Sequence, residues 1–326
     1  MWGVVGLWIW SLFEQPGTAK GGPNVHTIEI SHVAKSFGRT QAVADVSLAV
    51  AEGEVFGLLG PNGAGKTTTI RMMLGIYQPE GGSISVLGGP MTDQTKNRIG
   101  YMPEERGLYQ NVSLEKGLTY LCILKGLSRT EARRRVGAYL ERLDLSPHRA
   151  KKIKELSKGM QQKAQVIAAI AHEPELLIVD EPFASLDPVN TRVVKELIAE
   201  LSRQGTTVLM STHQMHQVEE LCDRIVLIHE GQNVLYGDLD RIRRRYAGNA
   251  VLLQTADVLP ALDGVTDVSR QNGDYRLTLA QGTAPQAVLE RLVSGGVHVD
   301  KFEIAMPTLD EVFVRIVTGA GKGEGA

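Results

Sequence analysis

The chain has 326 residues and a net charge of −2 at pH 7, with 43% hydrophobic and 22% charged residues. That size leaves room for about two domains, the composition is that of a globular protein, and the near-neutral balance argues against nucleic acid as the main partner. The two cysteines, Cys122 and Cys222, lack metal-ligand spacing and read as buried thiols of a reducing compartment, and no apolar run is long enough to predict a membrane span.

Trp2 to Phe13 is apolar but only 12 residues long, too short to span a bilayer. It has no basic leader, and Gly17-Thr18-Ala19 makes a poor cleavage site. Residues 1–24 are therefore expected to be an unstructured or membrane-surface extension, or to precede the true start, with a Gly- and Pro-containing linker from Gln15 to Asn24. Alternation predicts a strand over Val25–Val33, a turn at Phe37-Gly38 and a second strand over Ala42–Ala49. Glu54–Leu59 reads as a buried strand, Gly60–Thr68 as a loop, and Thr69–Leu74 as a helix. A short strand between glycine turns is expected over Gly81–Gly89, and a strand end at Ile99–Pro103.

From Ser113 to Leu145 the pattern turns helical. Leu114, Leu118, Leu121 and Leu124 recur at helical spacing, with Ser113 as N-cap and Gly126 as stop, and Thr130 opens a second helix with Arg133 to Arg135 as a solvated face. A helix over Lys163–Ala171 and the apolar strand Glu175–Glu181, ending in two carboxylates, suit a strand buried on both faces of a parallel sheet. Helix Pro188–Gln204, strand Thr206–Ser211, helix Met215–Cys222 and strand Arg224–His229 complete an α/β part near Gly237. Beyond the basic stretch Arg241–Arg245, strands are expected over Ala250–Gln254, Val265–Arg270, Tyr275–Leu279 and Val297–Ile304. Helices are expected over Ala284–Val293 and Leu309–Val317.

Gly60-Pro61-Asn62-Gly63-Ala64-Gly65-Lys66-Thr67-Thr68 carries the phosphate-loop spacing of two glycines, Lys and a hydroxyl residue, between a strand and a helix. Glycines let backbone N–H groups turn inward around an anion, and the new helix aims its unpaired N–H groups at the same place. Lys66 can reach the β- and γ-phosphates of a nucleotide, and the Thr67 hydroxyl can hold Mg²⁺. Alone, this loop leaves kinases, GTPases and ATPases open.

Further stretches narrow the choice: Leu156-Ser157-Lys158-Gly159-Met160, then Ile178-Val179-Asp180-Glu181-Pro182, then Ser185-Leu186-Asp187, and His213 after a strand. In that order they resemble the signature motif, Walker B motif with its adjoining glutamate, D-loop and switch histidine of ATP-binding-cassette (ABC) proteins. The resemblance covers residues 25–237. Phe37, 29 positions before Lys66, stands where the family stacks a ring on adenine. The resemblance implies an α/β fold: a P-loop NTPase cassette with a RecA-like core, an antiparallel β subdomain and a helical subdomain, plus a small C-terminal α+β domain. With the change of strand and helix pattern past Gly237 and the Gly-rich end, the chain is expected to divide into 25–240 for the cassette, 241–318 for the accessory domain and 319–326 as a disordered tail.

The resemblance also implies ATP and Mg²⁺ as ligands. Asp180, at the end of a buried strand, can share the Mg²⁺ with Thr67, Glu181 can orient and activate a water, and His213 can hydrogen-bond the γ-phosphate. Glu104 replaces the family's usual glutamine and can face Mg²⁺ or its water, while Lys158 and Met160 replace Gly and Gln of the signature. Ser157 and Gly159 would contact ATP on the partner's loop, so two cassettes, a homodimer in the simplest case, would face each other head to tail. Pro103–Tyr109, the signature variant and Pro307–Phe313 look like the ATPase subunits of bacterial sodium-efflux, drug and polysaccharide-type exporters. That likeness implies a separate polytopic membrane permease, met at Tyr101–Tyr109, and a peripheral place on the cytoplasmic face of the cell membrane. The alternative class is a soluble ABC ATPase working on nucleic acid, ribosomes or a regulatory membrane complex. Those acting on nucleic acid or ribosomes carry coiled coils, zinc motifs or two cassettes in one chain, none of which is present.

Overall fold

The computed structural model describes residues 26–318, apart from 106, 248 and 272. The expected extension over 1–24 and tail over 319–326 lie outside them. The chain divides into two compact units, one ending at Leu239 and the other starting at Asp240.

The first unit opens with β1 (His26–Phe37), β2 (Thr40–Ala51) and β3 (Val55–Leu59), then α1 (Lys66–Met73), β4 (Gly81–Val86), α2 (Asp93–Asn97) and β5 (Ile99–Met102). Three longer helices follow: α3 (Leu114–Leu124), α4 (Arg129–Arg142) and α5 (Lys158–Ile170). It closes with β6 (Leu176–Asp180), α6 (Pro188–Arg203), β7 (Thr207–Thr212), α7 (Met215–Glu219), β8 (Arg224–His229) and β9 (Gln232–Asp238). Among the described residues these strands form one sheet in the order β4-β1-β2-β9-β8-β3-β7-β6-β5. Its β4-β1-β2 edge is antiparallel, whereas β8-β3-β7-β6-β5 run parallel. Every residue of β3, β6 and β7 is buried, as parallel strands covered on both faces require. A core of Phe56, Leu58, Ile70, Met73, Ile178, Leu209 and Val226 packs there, each large side chain contributing about 2 kcal/mol of transfer free energy.

Helices α3 and α4 bury Leu114, Leu118, Val136 and Leu140 in a second core with Ala164 and Ile167 of α5. Capping at α4 differs from the sequence expectation. Ser128, not Thr130, is the N-cap, its side chain accepting from the Glu131 N–H. Arg133 and Arg134 are solvated, but Arg135 is mostly covered and pairs with Glu131 and Glu173. Helix α5 starts five residues before the expected Lys163, because Ser157 caps it by accepting from the Met160 N–H at 3.2 Å. Met160 packs against the α3–α4 core, which suits the apolar side chain found there.

The sequence pattern does not reveal β9. It forms a hairpin with β8 through Glu230 and Gly231, both at positive φ (48° and 73°), as primed hairpin turns demand.

The second unit holds α8 (Leu239–Tyr246), most of it beyond the boundary, then β10 (Ala250–Gln254), β11 (Val265–Gln271), β12 (Asp274–Leu279), α9 (Pro285–Ser294), β13 (Lys301–Ile304) and α10 (Leu309–Thr318). Four strands form an antiparallel sheet in the order β11-β12-β10-β13. Val251, Leu253 and Leu277 from its strands meet Val288 and Leu292 from α9, so this unit has its own α+β core. Strand β13 is shorter than the Val297–Ile304 expected. Only Lys301–Ile304 pair with β10, while Val297 and Val299 turn into the core.

Candidate functional site

Strand register assembles the site. Leu59 at the end of β3 pairs with Thr212 at the end of β7, and Ser211 of β7 pairs with Asp180 at the end of β6. The loop after β3, the carboxylates after β6 and the histidine after β7 therefore leave one edge of the sheet together. The carboxyl edge of a parallel sheet is where such folds bind ligands.

Backbone contacts force the loop's shape. Gly60 has φ 147°, and a Cβ there would lie 2.2 Å from the Ile228 carbonyl oxygen; at Gly65, φ 109°, it would lie 2.6 Å from that of Ala42. Neither position admits a side chain. Between them Asn62 and Gly63 are exposed, Pro61 is partly so and Ala64 is buried, its N–H donating to the Pro61 carbonyl at 3.2 Å. Lys66, Thr67 and Thr68 form the first turn of α1, whose free N–H groups point back into the loop.

The Lys66 ammonium is buried and donates to the carbonyls of Gly60 (2.7 Å) and Pro61 (3.2 Å). Burial pushes its pKa down, and the charges of Glu181, Asp180 and Glu104 push it back up. Thr67 Oγ1 donates to Asp180 Oδ2 at 3.1 Å, and the Ser211 hydroxyl donates to Asp180 Oδ1. Burial raises the Asp180 pKa against those two hydrogen bonds. Glu181 is buried with φ 52°. Its carboxylate accepts from Thr212 Oγ1 (2.9 Å) and the His213 N–H (2.9 Å), and pairs with His213 Nδ1 (2.6 Å). The half-exposed His213 ring caps this pair.

Other expected residues lie further out. Phe37, 44% exposed at the end of β1 rather than in the following turn, meets the Tyr77 ring edge-on, centroids 5.1 Å apart. Glu104 is exposed after β5. Ser157 and Gly159 stand at the start of α5, where the Ser157 hydroxyl accepts from the Met160 N–H. A Cβ at Gly159 would meet the Ser185 carbonyl at 3.4 Å, about van der Waals distance. Tyr101 is partly buried and packs against the core, whereas Tyr109 is 53% exposed and meets Tyr120 edge-on.

Sequence reasoning passed over Ser211, Gln162 and Gln165. Gln162 Nε2 donates to the carbonyls of Glu181 (3.2 Å) and Pro182 (3.0 Å), and Gln165 Nε2 donates to that of Glu105 (3.2 Å). The available signal was Gln162 and Gln165, three apart, leading into the apolar run Val166–Ile170 of the helix.

The arrangement is a cradle of backbone N–H groups and one ammonium, flanked by a hydroxyl–carboxylate pair and a second carboxylate beside an imidazole. It can hold a polyphosphate, bind a hard cation through oxygen and orient a water.

The sequence profile of the family described as "ABC transporter" matches residues 43–184, and that of the "ATP-binding protein DrrA1-3-like, C-terminal domain" matches residues 237–317. The ABC transporter ATP-binding protein YhaQ of Bacillus subtilis is 41% identical over 293 residues, covering 89% of this chain and 98% of that protein. The linearmycin resistance ATP-binding protein LnrL of the same organism is 30% identical over 303 residues, covering 89% and 97%. A solved structure of the ATP-binding subunit of an ABC transporter superposes with a TM-score of 0.64 at 34% identity, covering 68% of this chain and 93% of that one.

Proposed function

We propose an exporter role for this chain, which belongs to the family of ABC transporter ATP-binding proteins and is an ATPase of that family. In this reading two copies close head to tail over ATP and drive a separate membrane permease from the cytoplasmic face. The likeness to a linearmycin resistance protein runs through both units, and the DrrA-like match over the second unit agrees with it. No helix among the described residues is long and apolar enough to cross a membrane, which suits a subunit that works with a permease.

The convergence of Asp180, Glu181 and His213 at the ends of β6 and β7 with Thr67 of the helix that follows β3 carries the hydrolytic reading. Residues 60–68 would cradle the phosphates, with Lys66 exchanging the Gly60 and Pro61 carbonyls for phosphate oxygens. Thr67 and Asp180, an all-oxygen pair whose carboxylate is buried, fit Mg²⁺, and the exposed Glu104, whose charge reaches Lys66, would act on it from further out. Held there, Mg²⁺ would supply charge neutralisation for the phosphate oxygens. Glu181 orients the attacking water and accepts its proton, and His213 Nε2 reaches the γ-phosphate while Nδ1 stays on Glu181. Phe37 stacks on the adenine. Ser157 and Gly159, at a helix start, meet the nucleotide held by the other copy.

Glu181→Gln tests this reading. It should slow hydrolysis by about a hundredfold or more and trap an ATP-dependent dimer visible by light scattering. Wild-type turnover, or a monomer at saturating Mg-ATP, would sink it.

A further inference from the structure

The Glu181 side chain is held from one direction and its backbone from another. The carboxylate is fixed by Thr212 and His213 after β7. The backbone sits at φ 52°, a region glutamate seldom occupies, and something must keep it there. The Glu181 N–H donates to the Ser211 carbonyl at 2.9 Å. On the far side, the Glu181 carbonyl accepts from the Ala184 N–H at 3.2 Å and from Gln162 Nε2 at 3.2 Å, and the same amide nitrogen reaches the Pro182 carbonyl at 3.0 Å. Gln162 is only 7% exposed, so both its N–H hydrogens are spent on these two carbonyls without competition from bulk water.

We propose that Gln162 is a positioning residue for ATP hydrolysis, fixing the left-handed turn at Glu181 and Pro182 so that the Glu181 carboxylate keeps its aim. This rests on the reading of Glu181 as the water-orienting base. A peptide plane free to rotate at that turn would swing the carboxylate off His213 and Thr212, and small displacements of a base cost rate far more than they cost binding. No atom of Gln162 needs to touch nucleotide. The neighbouring glutamines serve other ends: Gln161 donates to the Leu156 carbonyl within its own helix start, and Gln165 to the backbone after β5.

The test compares four forms of the full-length chain: wild type, Gln162→Leu, Glu181→Gln and the double variant. Steady-state and single-turnover hydrolysis and binding of a fluorescent ATP analogue are measured on each. Gln162→Leu should lower kcat by about tenfold or more while KM and analogue affinity stay within about twofold. In the Glu181→Gln background the same change should lower the residual single-turnover rate by less than about twofold, because the group it positions is gone. An equal loss in both backgrounds, an unchanged kcat, or a loss confined to KM overturns the inference. A Glu181→Gln chain with wild-type kcat would instead overturn the reading of Glu181, whatever Gln162→Leu does. If Gln162→Leu does not fold, Gln162→Glu decides. Its carboxylate cannot donate to two carbonyls but its protonated form can donate to one, so its kcat relative to wild type must recover as pH is lowered from about 8 to about 6. A flat ratio counts against the proposal.

Discussion

Replacing Asp180 by Asn sets the stability of this site against its chemistry. The carboxylate is 1% exposed. Burial raises its pKa even though hydrogen bonds from Ser211 and Thr67, and the Lys66 charge, all favour the ionised form. The folded chain therefore holds more protons than the unfolded one between the ordinary aspartate pKa and the raised value. Stability falls as pH rises through that window and stays reduced above it. Asparagine keeps the shape, keeps an acceptor for Ser211 and offers Thr67 a polar partner. Weakening two charge-assisted hydrogen bonds to neutral ones costs about 1 kcal/mol each, whereas desolvating an ion costs several kcal/mol. Asp180→Asn should thus stabilise the protein by about 1–2 kcal/mol, or roughly 2–4 °C in Tm for each kcal/mol. Thermal unfolding without nucleotide and with a chelator reads this at pH 7.5, and the gap should narrow as the buffer is taken towards pH 4.5. With Mg-ATP the same variant should lose about a hundredfold in turnover. A variant that melts lower at pH 7.5, or a gap that widens on acidification, refutes the reasoning.

His172 is buried with its pKa pushed down to about 4, first by desolvation and then by the Lys125 charge. Stability tied to it is complete above the ordinary histidine pKa of about 6.5 and is lost as pH falls towards 4, by about 3 kcal/mol in all; in His172→Gln that part of the acid sensitivity should vanish from a pH series of denaturant melts. Both thiols are buried, and burial lifts Cys122 to about 11 and Cys222 higher still, so a thiol reagent at pH 8 should label neither in the folded protein and both in guanidinium. Phe37→Ala should weaken binding of a fluorescent ATP analogue by about fivefold, the worth of one aromatic contact of about 1 kcal/mol, and Phe37→Tyr should retain it; equal affinities would remove Phe37 from the site.

Local signals gave up the strand, loop and helix around Gly60–Thr68, because a strand, a glycine turn and a helix start are neighbours in sequence and each leaves its own pattern. The pairing of Thr67 with Asp180 spans 113 positions and depends on parallel register between β3, β7 and β6, which residue spacing does not encode. Gln162 was opaque for another reason. On a helix its type suggests a solvated face, and only burial against the Glu181 turn makes its amide an obligatory donor. At α4 the expected start at Thr130 lies two residues inside the cap, because the Ser128 hydroxyl accepts from the Glu131 N–H and so opens the helix at Arg129. The β8–β9 hairpin hid because Glu230 takes a positive φ that glutamate rarely advertises.

The carbonyl oxygens of Gly60 and Pro61 that receive the Lys66 ammonium bear on kinetics as well as on affinity. A lysine satisfied by its own loop has no need to fold onto the nearby carboxylates, so it obstructs neither Asp180 nor Glu181. If the loop holds phosphate as proposed, capture would be a change of acceptor by one side chain. In the proposed reading, release would hand the ammonium back to the same two carbonyls, so that neither bound nor free loop leaves it without an acceptor.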